Sequence, residues 1–382
     1  MIQPHWSSRL PRFSRRTRWA LPAGAIATAG LVAVGTVLSG AQAAPALPAR
    51  TPAQLLADVQ HAVAAGPAPM TAVIQESAAL GFPSLPDMGG ASSALSLLSS
   101  SHTLRLWYGG PAHIRIAIPV SLGETDLRLN GRRAWLWQST SQTATHLILP
   151  TGAVGEPGAP AARLPAMALS PQRLARQVLA AVGPTTAVSV QRNLEVAGQS
   201  AYQLQIVPKT SSSLIGRIEI AVDAANSLPL QLQVFARGAA SPAFQIGYTS
   251  LSFGQPAAAN FAFTPPPGAK VKTVTLPGKA GLPRRQRVPL PRMAGRPGQQ
   301  SPAGLRVVGK DWLSVAVGSA PALPLLLRAA TPVHGVWGSG RLLRTALVSV
   351  LVTSNGRVLI GAVTPAVLYA DAALYADAAQ GK

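Results

Sequence analysis

The sequence predicts a mainly β protein with few helices, an α+β fold dominated by one antiparallel sheet. Three observations carry this expectation. From Thr71 to Phe263 apolar residues alternate with polar ones in successive runs, the period of strands with one wet and one dry face. Turn signals separate those runs at hairpin spacing, Asn130-Gly131 being the strongest. Gly and Pro number 35 each in 382 residues, so connections are many.

Residues 1–44 read as a targeting segment. Arg9, Arg12, Arg15, Arg16 and Arg18 precede an uncharged stretch from Trp19 to Gly40, followed by Ala41-Gln42-Ala43. A basic start, an apolar stretch and a small-x-small site describe an export signal. The stretch is also long enough to span a bilayer, so an uncleaved anchor is the alternative. Ser14-Arg15-Arg16 loosely resembles a twin-arginine signal, although Arg18 sits where that pattern wants an apolar residue. Either route places the remainder outside the cytoplasm, exported or held at the outer side of the cytoplasmic membrane.

The elements follow in order. Thr51 and Pro52 open a helix over 52–64, with Leu55, Leu56, Val59 and Val63 on one face. A first strand runs from Thr71 to Leu80, and 83–101 reads as a loop. Strands are then expected at Leu104–Tyr108, Ile114–Val120, Leu127–Leu129, Trp135–Trp137 and His146–Leu149. Ser170, Pro171 and the stripe Leu174, Val178, Leu179, Val182 predict a second helix over 171–182, stopped by Gly183-Pro184. Further strands carry Val188 and Val190; Tyr202, Leu204 and Ile206; Ile218, Ile220 and Val222; Leu230, Leu232 and Val234; and Phe244, Ile246 and Tyr248. Phe261 and Phe263 end the series.

Residues 273–304 lie within a basic, Pro-rich stretch. Between 270 and 310 there are Lys270, Lys272, Lys279, Arg284, Arg285, Arg287, Arg292, Arg296, Arg306 and Lys310, and no acid. Such a run reads as an extended linker. From 305 to 382 order returns. Val307–Val317 is strand-like, Leu342–Val352 and Arg357–Val363 flank a hairpin at Ser354-Asn355-Gly356, and the Ala-rich tail after Pro365 suits a short helix.

Catalytic chemistry is not legible. There are no cysteines, which excludes disulfides, thiolate nucleophiles and zinc–thiolate sites. The six histidines, His5, His61, His102, His113, His146 and His334, show no metal-ligand spacing. Glu124 and Asp126 share a strand face and read as an exposed hairpin end rather than an acid–base pair. Nucleotide and nucleophile-elbow motifs are absent, so a non-enzyme without catalytic residues, metal or cofactor is expected.

Four stretches in order carry a family resemblance. They are Asn130-Gly131 leading to Trp135 and Trp137; Val196-Ala-Gly198 through Tyr202, Leu204 and Pro208; Ile218 through Asp223 to Leu228-Pro229-Leu230; and Phe261-Ala-Phe263-Thr-Pro-Pro-Pro-Gly268 to Val271. Together they resemble the LolA-like family of lipoprotein and lipid carriers, including actinobacterial relatives, and the related sigma-factor regulators of the RseB type. The resemblance spans about residues 50–272. It implies an antiparallel half-open β-barrel over 45–272, its mouth covered by the helices at 52–64 and 171–182.

That shape implies an extracytoplasmic binding protein for an acyl chain or lipidated protein. The expected apolar lining is Trp135, Trp137, Tyr202, Leu204, Ile218, Ile220, Leu230, Leu232, Phe244, Ile246 and Phe263, any of which would otherwise be plain core. The alternative is an envelope-stress module that binds a membrane anti-sigma regulator, with 305–382 as its partner lobe. Arg284, Arg285, Arg287 and Arg292 are expected to contact an anionic membrane surface. Nucleic acid is not an expected partner, because no aromatics interleave with the basic run.

Overall fold

The structure, a computed structural model, describes residues 47–81, 101–120, 122–149, 170–275, 306–319 and 329–380. The targeting segment, most of the 83–101 loop and Arg284, Arg285, Arg287 and Arg292 lie outside the described residues.

Helix α1 spans Pro52–Ala65. Thr51 caps it with a reciprocal box: its hydroxyl accepts from the Gln54 backbone N–H, and the Gln54 side chain accepts from the Thr51 N–H. Gly66, at φ +84°, takes the chain out of the helix. Leu55, Val59 and Val63, four residues apart, form its buried face. Helix α2 spans Pro171–Leu179, capped by Ser170, and buries Ala175, Val178 and Leu179. It is three residues shorter than its apolar stripe suggests, because the backbone turns at Ala180–Val182, ahead of Gly183.

The main sheet has twelve strands: β1 (Met70–Ala78), β2 (His102–Gly110), β3 (His113–Val120), β4 (Gly123–Asn130), β5 (Arg133–Gln138), β6 (Thr143–Ile148), β7 (Thr186–Val196), β8 (Gln199–Pro208), β9 (Ile215–Asp223), β10 (Pro229–Ala236), β11 (Phe244–Phe253) and β12 (Lys270–Thr275). Their order is β12-β6-β5-β4-β3-β2-β1-β11-β10-β9-β8-β7. Two meanders are thus sewn together where β1 pairs with β11. The sheet does not close; β12 and β7 are its edges. The β4–β5 turn is centred one residue later than Asn130-Gly131 suggests, with Asn130 paired to Arg133.

One strand departs from the antiparallel expectation. β12 runs parallel to β6, Lys270 opposite Thr143 and Thr275 opposite Ile148. Phe261 and Phe263 do not form the last strand. They belong to a strap that leaves β11 through a 3₁₀ turn at Ala258–Asn260 and crosses the outer face of the sheet to reach β6. A parallel pairing requires such a crossover.

A second sheet contains β13 (Arg306–Val308), β14 (Val315–Ser319), β15 (Thr331–Gly335), β16 (Gly338–Arg344), β17 (Ser349–Thr353) and β18 (Arg357–Gly361), ordered β13-β14-β18-β17-β16-β15. The apolar run Leu342–Val352 is a hairpin rather than one strand. The Thr345 hydroxyl accepts from the Val348 N–H and fixes the turn. Helix α3 (Pro365–Gln380) lies on this sheet, with Leu368 and Ala372 buried and Tyr369 stacked on Trp337 at 5.5 Å. The two sheets are joined by backbone bonds. Leu214 donates to Ala362, Thr364 to Ser212 and Ala346 to Leu80, all within 2.9 Å. Trp312 Nε1 donates to the Thr186 hydroxyl at 2.8 Å.

Candidate binding face

One face of the twelve-stranded sheet is dry, and the register aligns its side chains in rows. Val190, Leu204, Ile220, Leu232 and Ile246 are successive cross-strand partners from β7 to β11. Val188, Ile206, Ile218, Val234 and Phe244 form a second row beside them. Tyr202 and Leu230 lie on the same face. From the other meander Leu104, Ile114, Ile116, Leu127 and Leu129 join the same apolar cluster. Helices α1 and α2 roof it with Leu55, Val59, Val63, Val178 and Leu179. Leu204, Ile220, Leu230 and Ile246 have no exposed surface, so the roof fills the space above them.

The roof is fastened by a few polar contacts. The Arg176 guanidinium on α2 donates to the Val63 carbonyl on α1. Gln172 donates to the Tyr248 hydroxyl. Burial pushes the Tyr248 phenol up to about 12 and the Gln172 contact offsets part of that, so the hydroxyl stays neutral. The Tyr202 hydroxyl donates to the Pro48 carbonyl at 2.9 Å, and Arg50 lies over its ring.

Tyr202, Leu204, Ile218, Ile220, Leu230, Leu232, Phe244 and Ile246 are brought together on this inner face. Trp135, Trp137 and Phe263 are not. Leu127 pairs with Leu136 and Leu129 with Ala134, which commits those side chains inward. The alternate positions, Trp135 opposite Arg128 and Trp137 opposite Asp126, therefore point outward. There Trp135 stacks on His146 at 4.3 Å, and Phe263 of the strap rests against both tryptophans. Sequence size alone favoured the tryptophans as lining; the leucines of β4 were the signal against it.

The outer cluster is held by charge. Asp126 is 2% exposed, not at an open hairpin end, and its carboxylate accepts from Arg128 at 2.7 Å and Arg115 at 3.0 Å. Arg115 stacks on Trp107 and Arg128 on Phe263. Phe261 fits over β2 because Gly109 has no side chain; a Cβ there would come within 3.0 Å of the ring. On the β8–β11 part of the outer face Gln203, Gln205, Glu219, Gln233 and Gln245 bond one another across the strands.

A surface depression of about 400 Å³ lies apart from the dry face, lined by Asp58, His61, Asn226, Ser227 and Phe253 among others. Among the described residues no group of three His, Asp or Glu is placed to hold a metal ion.

The inner face also carries an acid. Glu76 on β1 shares the parity of Met70, Ala72 and Ile74, is 1% exposed and is opposite Ile246. Its Oε2 has no hydrogen-bond partner, and burial pushes its carboxyl from 4.5 up to about 7. The alternation of Thr71–Leu80 contains the signal, since it puts Glu76 on the face of Ile74.

No family model and no curated protein matches the chain. Solved structures that are similar to it include the MucA/MucB complex of Pseudomonas aeruginosa, 14% identical over 84% of this chain and 96% of that one, with a TM-score of 0.39. LprF from Mycobacterium bovis is 9% identical over 58% of this chain and 99% of its own, with a TM-score of 0.30. A LolA superfamily protein from Nitrosomonas europaea is 12% identical over 56% and 99%, with a TM-score of 0.21.

Proposed function

We propose that the protein is an extracytoplasmic, non-enzymatic binding protein that takes an acyl chain, free or on a lipidated protein, against the inner face of its open sheet. The supporting observation is the continuous apolar row Val190–Leu204–Ile220–Leu232–Ile246, roofed by two short helices, in a cluster that Leu347 of the β16–β17 turn also joins. The helices occupy the acyl site until a ligand displaces them.

The energies are compatible with exchange. Burying a methylene gains about 0.8 kcal/mol, so a 16-carbon chain has roughly 12 kcal/mol of gross driving force. The roof contributes five large side chains, Leu55, Val59, Val63, Val178 and Leu179. At about 1.5–3 kcal/mol each they gain roughly 8–15 kcal/mol. Chain and roof are near-equal competitors for one surface, which is what loading and unloading needs. A nine-residue helix such as α2 has little stability of its own and depends on that packing.

Export of the chain rests on the basic and apolar pattern of residues 1–44. No helix among the described residues is long and apolar enough to cross a membrane. In this reading Arg284, Arg285, Arg287 and Arg292 hold the protein near anionic lipid. Binding to anionic vesicles that weakens with salt and with deletion of 276–304 is the expected result.

The deciding experiment is titration of purified protein with a fluorescent 16-carbon fatty-acid probe, paired with native mass spectrometry. Saturable one-to-one uptake supports the reading; no uptake and no co-purifying lipid overturns it.

A second reading is favoured by one feature. The second sheet ends in β15, paired on one side only and mostly exposed, beside Val336 at 97% exposure. An open edge of that kind can accept a partner strand, which suits an interaction module for a membrane anti-sigma regulator. Stoichiometric recovery of such a regulator from solubilised membranes, abolished by His334→Pro in β15, which already carries Pro332, would favour it over the acyl reading.

A further inference from the structure

The apolar row of the inner face ends in a carboxyl group. Val190, Leu204, Ile220, Leu232 and Ile246 are followed, at the next strand, by Glu76 of β1, and beyond it by His102 of β2. A side chain 1% exposed, flanked along its own strand by Ile74 and across it by Ile246, sits where a filled core would carry an aliphatic residue. Oε2 has no partner among the described residues. An unsatisfied buried polar group costs free energy in the closed protein.

Other buried acids have visible duties. Asp126 is held by Arg115 and Arg128. Asp223 accepts the Ala225 and Asn226 N–H groups and shapes the β9–β10 turn. Asp223 Oδ2 is unpartnered too, but its Oδ1 has that turn to hold; Glu76 shares the dry-face parity of Ile74 and lies opposite Ile246.

We propose that Glu76 is the polar recognition point of the acyl site: the ligand is an acyl lipid whose polar end carries a hydroxyl or ammonium donor, which Glu76 Oε2 accepts while the hydrocarbon lies along Ile246, Leu232, Ile220 and Leu204. The inference rests on the acyl-binding reading and names the ligand class within it. From β1 to β8 there are four strand spacings, about 19 Å, comparable to a long extended acyl chain. The tail and its polar end are thus fixed in direction: donor at β1, methyl terminus toward β8. Once ionised, the carboxylate accepts and cannot donate, so at pH 8 an end with acceptors alone gains little there.

The test uses full-length protein at pH 8, where the carboxyl is mostly ionised. A 16-carbon monoacylglycerol, hexadecylamine and the 16-carbon methyl ester compete against the fluorescent acyl probe. Wild type is expected to bind both donor-bearing lipids about tenfold more tightly than the ester, the size of a charge-assisted hydrogen bond at its lower limit. Glu76→Leu is expected to abolish that preference while leaving ester affinity unchanged or stronger. Glu76→Gln keeps the shape and should retain only part of the preference, which decides the matter should the leucine variant fail to fold. Equal wild-type affinity for all three lipids, or an undiminished preference in both variants, overturns the role of Glu76 and leaves acyl binding standing. Failure of all three lipids to compete for a saturable site overturns both.

Discussion

Arg176 on α2 donates to the backbone carbonyl of Val63, two residues before the end of α1, and so ties the two roof helices to each other. The bond joins elements that each touch the sheet mainly through apolar contacts. Arg176→Ala is expected to cost about 1–2 kcal/mol, the worth of one charge-assisted bond. The loss should appear as faster amide exchange in α2 while β8–β10 stay protected. In the acyl reading the same variant takes up the probe faster, because the roof lifts more often. Unchanged exchange in α2 would show that the tie is not structural.

Glu76 gives stability a pH dependence of defined sign. In the unfolded chain its carboxyl titrates near 4.5, in the folded one near 7. Between those values the folded protein holds a proton that the unfolded chain has released, so stability falls as pH rises through this window and stays lower above it. The shift corresponds to about 3 kcal/mol. β11, on one side of Glu76, carries no acid or base apart from Tyr248; on the other side β2 carries Arg105, Tyr108 and His102, of which His102 is directly opposite. Glu76→Gln should flatten most of the decline in urea midpoint between pH 5 and 8, and should do so equally in a His102→Gln background.

How far the residues foretell this architecture depends on the range of the forces involved. Local alternation is enough to place β3, β8, β9 and β10, because each strand's dry side is written in its own residues. It also puts Leu204, Ile220, Leu232 and Ile246 on one face, since those strands follow one another in hairpins. What local pattern lacks is the face of β5. Trp135 and Trp137 alternate as cleanly as Ala134 and Leu136, and only the cross-strand commitment of Leu127 and Leu129 decides between them. The strap is equally non-local: Phe261 and Phe263 read as a strand, yet they are claimed by Gly109, His113 and Trp135, more than a hundred residues earlier. Glu76 is legible by parity, since it alternates with Gln75 and Ser77 and falls on the face of Met70, Ala72 and Ile74.

The outer cluster should matter for folding and not for ligand. Asp126 is buried between two arginines, so Asp126→Asn leaves Arg128 without its carboxylate partner and Arg115 with only Glu124 at 3.9 Å. Breaking a buried pair from one side costs about 3–5 kcal/mol, toward the lower figure here because both guanidinium groups keep some solvent. The expected result is a large drop in urea midpoint with acyl-probe affinity within twofold of wild type. A comparable loss of affinity in the folded variant would place the probe on the outer face instead.

A cleaner separation of the two faces comes from paired substitutions, one on each face. Leu232→Ala removes side-chain bulk beneath the roof, where Leu232 is 2% exposed between Ile220 and Ile246. Trp135→Phe trims the outer stack on His146 and Phe263 without exposing the core. The first is expected to cost about 2–4 kcal/mol from lost burial and the cavity left behind, and the second about 1 kcal/mol from a weakened stack. Their effects on the acyl probe should diverge further than their effects on stability. A hole below the roof is space that a hydrocarbon tail can fill, so Leu232→Ala should hold the probe as tightly as wild type or more tightly despite its lower stability. Trp135→Phe should leave the affinity unmoved. Calorimetric titration of both variants at one temperature reads this directly, and weaker binding in Leu232→Ala with normal binding in Trp135→Phe would mean that the tail needs the Leu232 side chain itself as a contact.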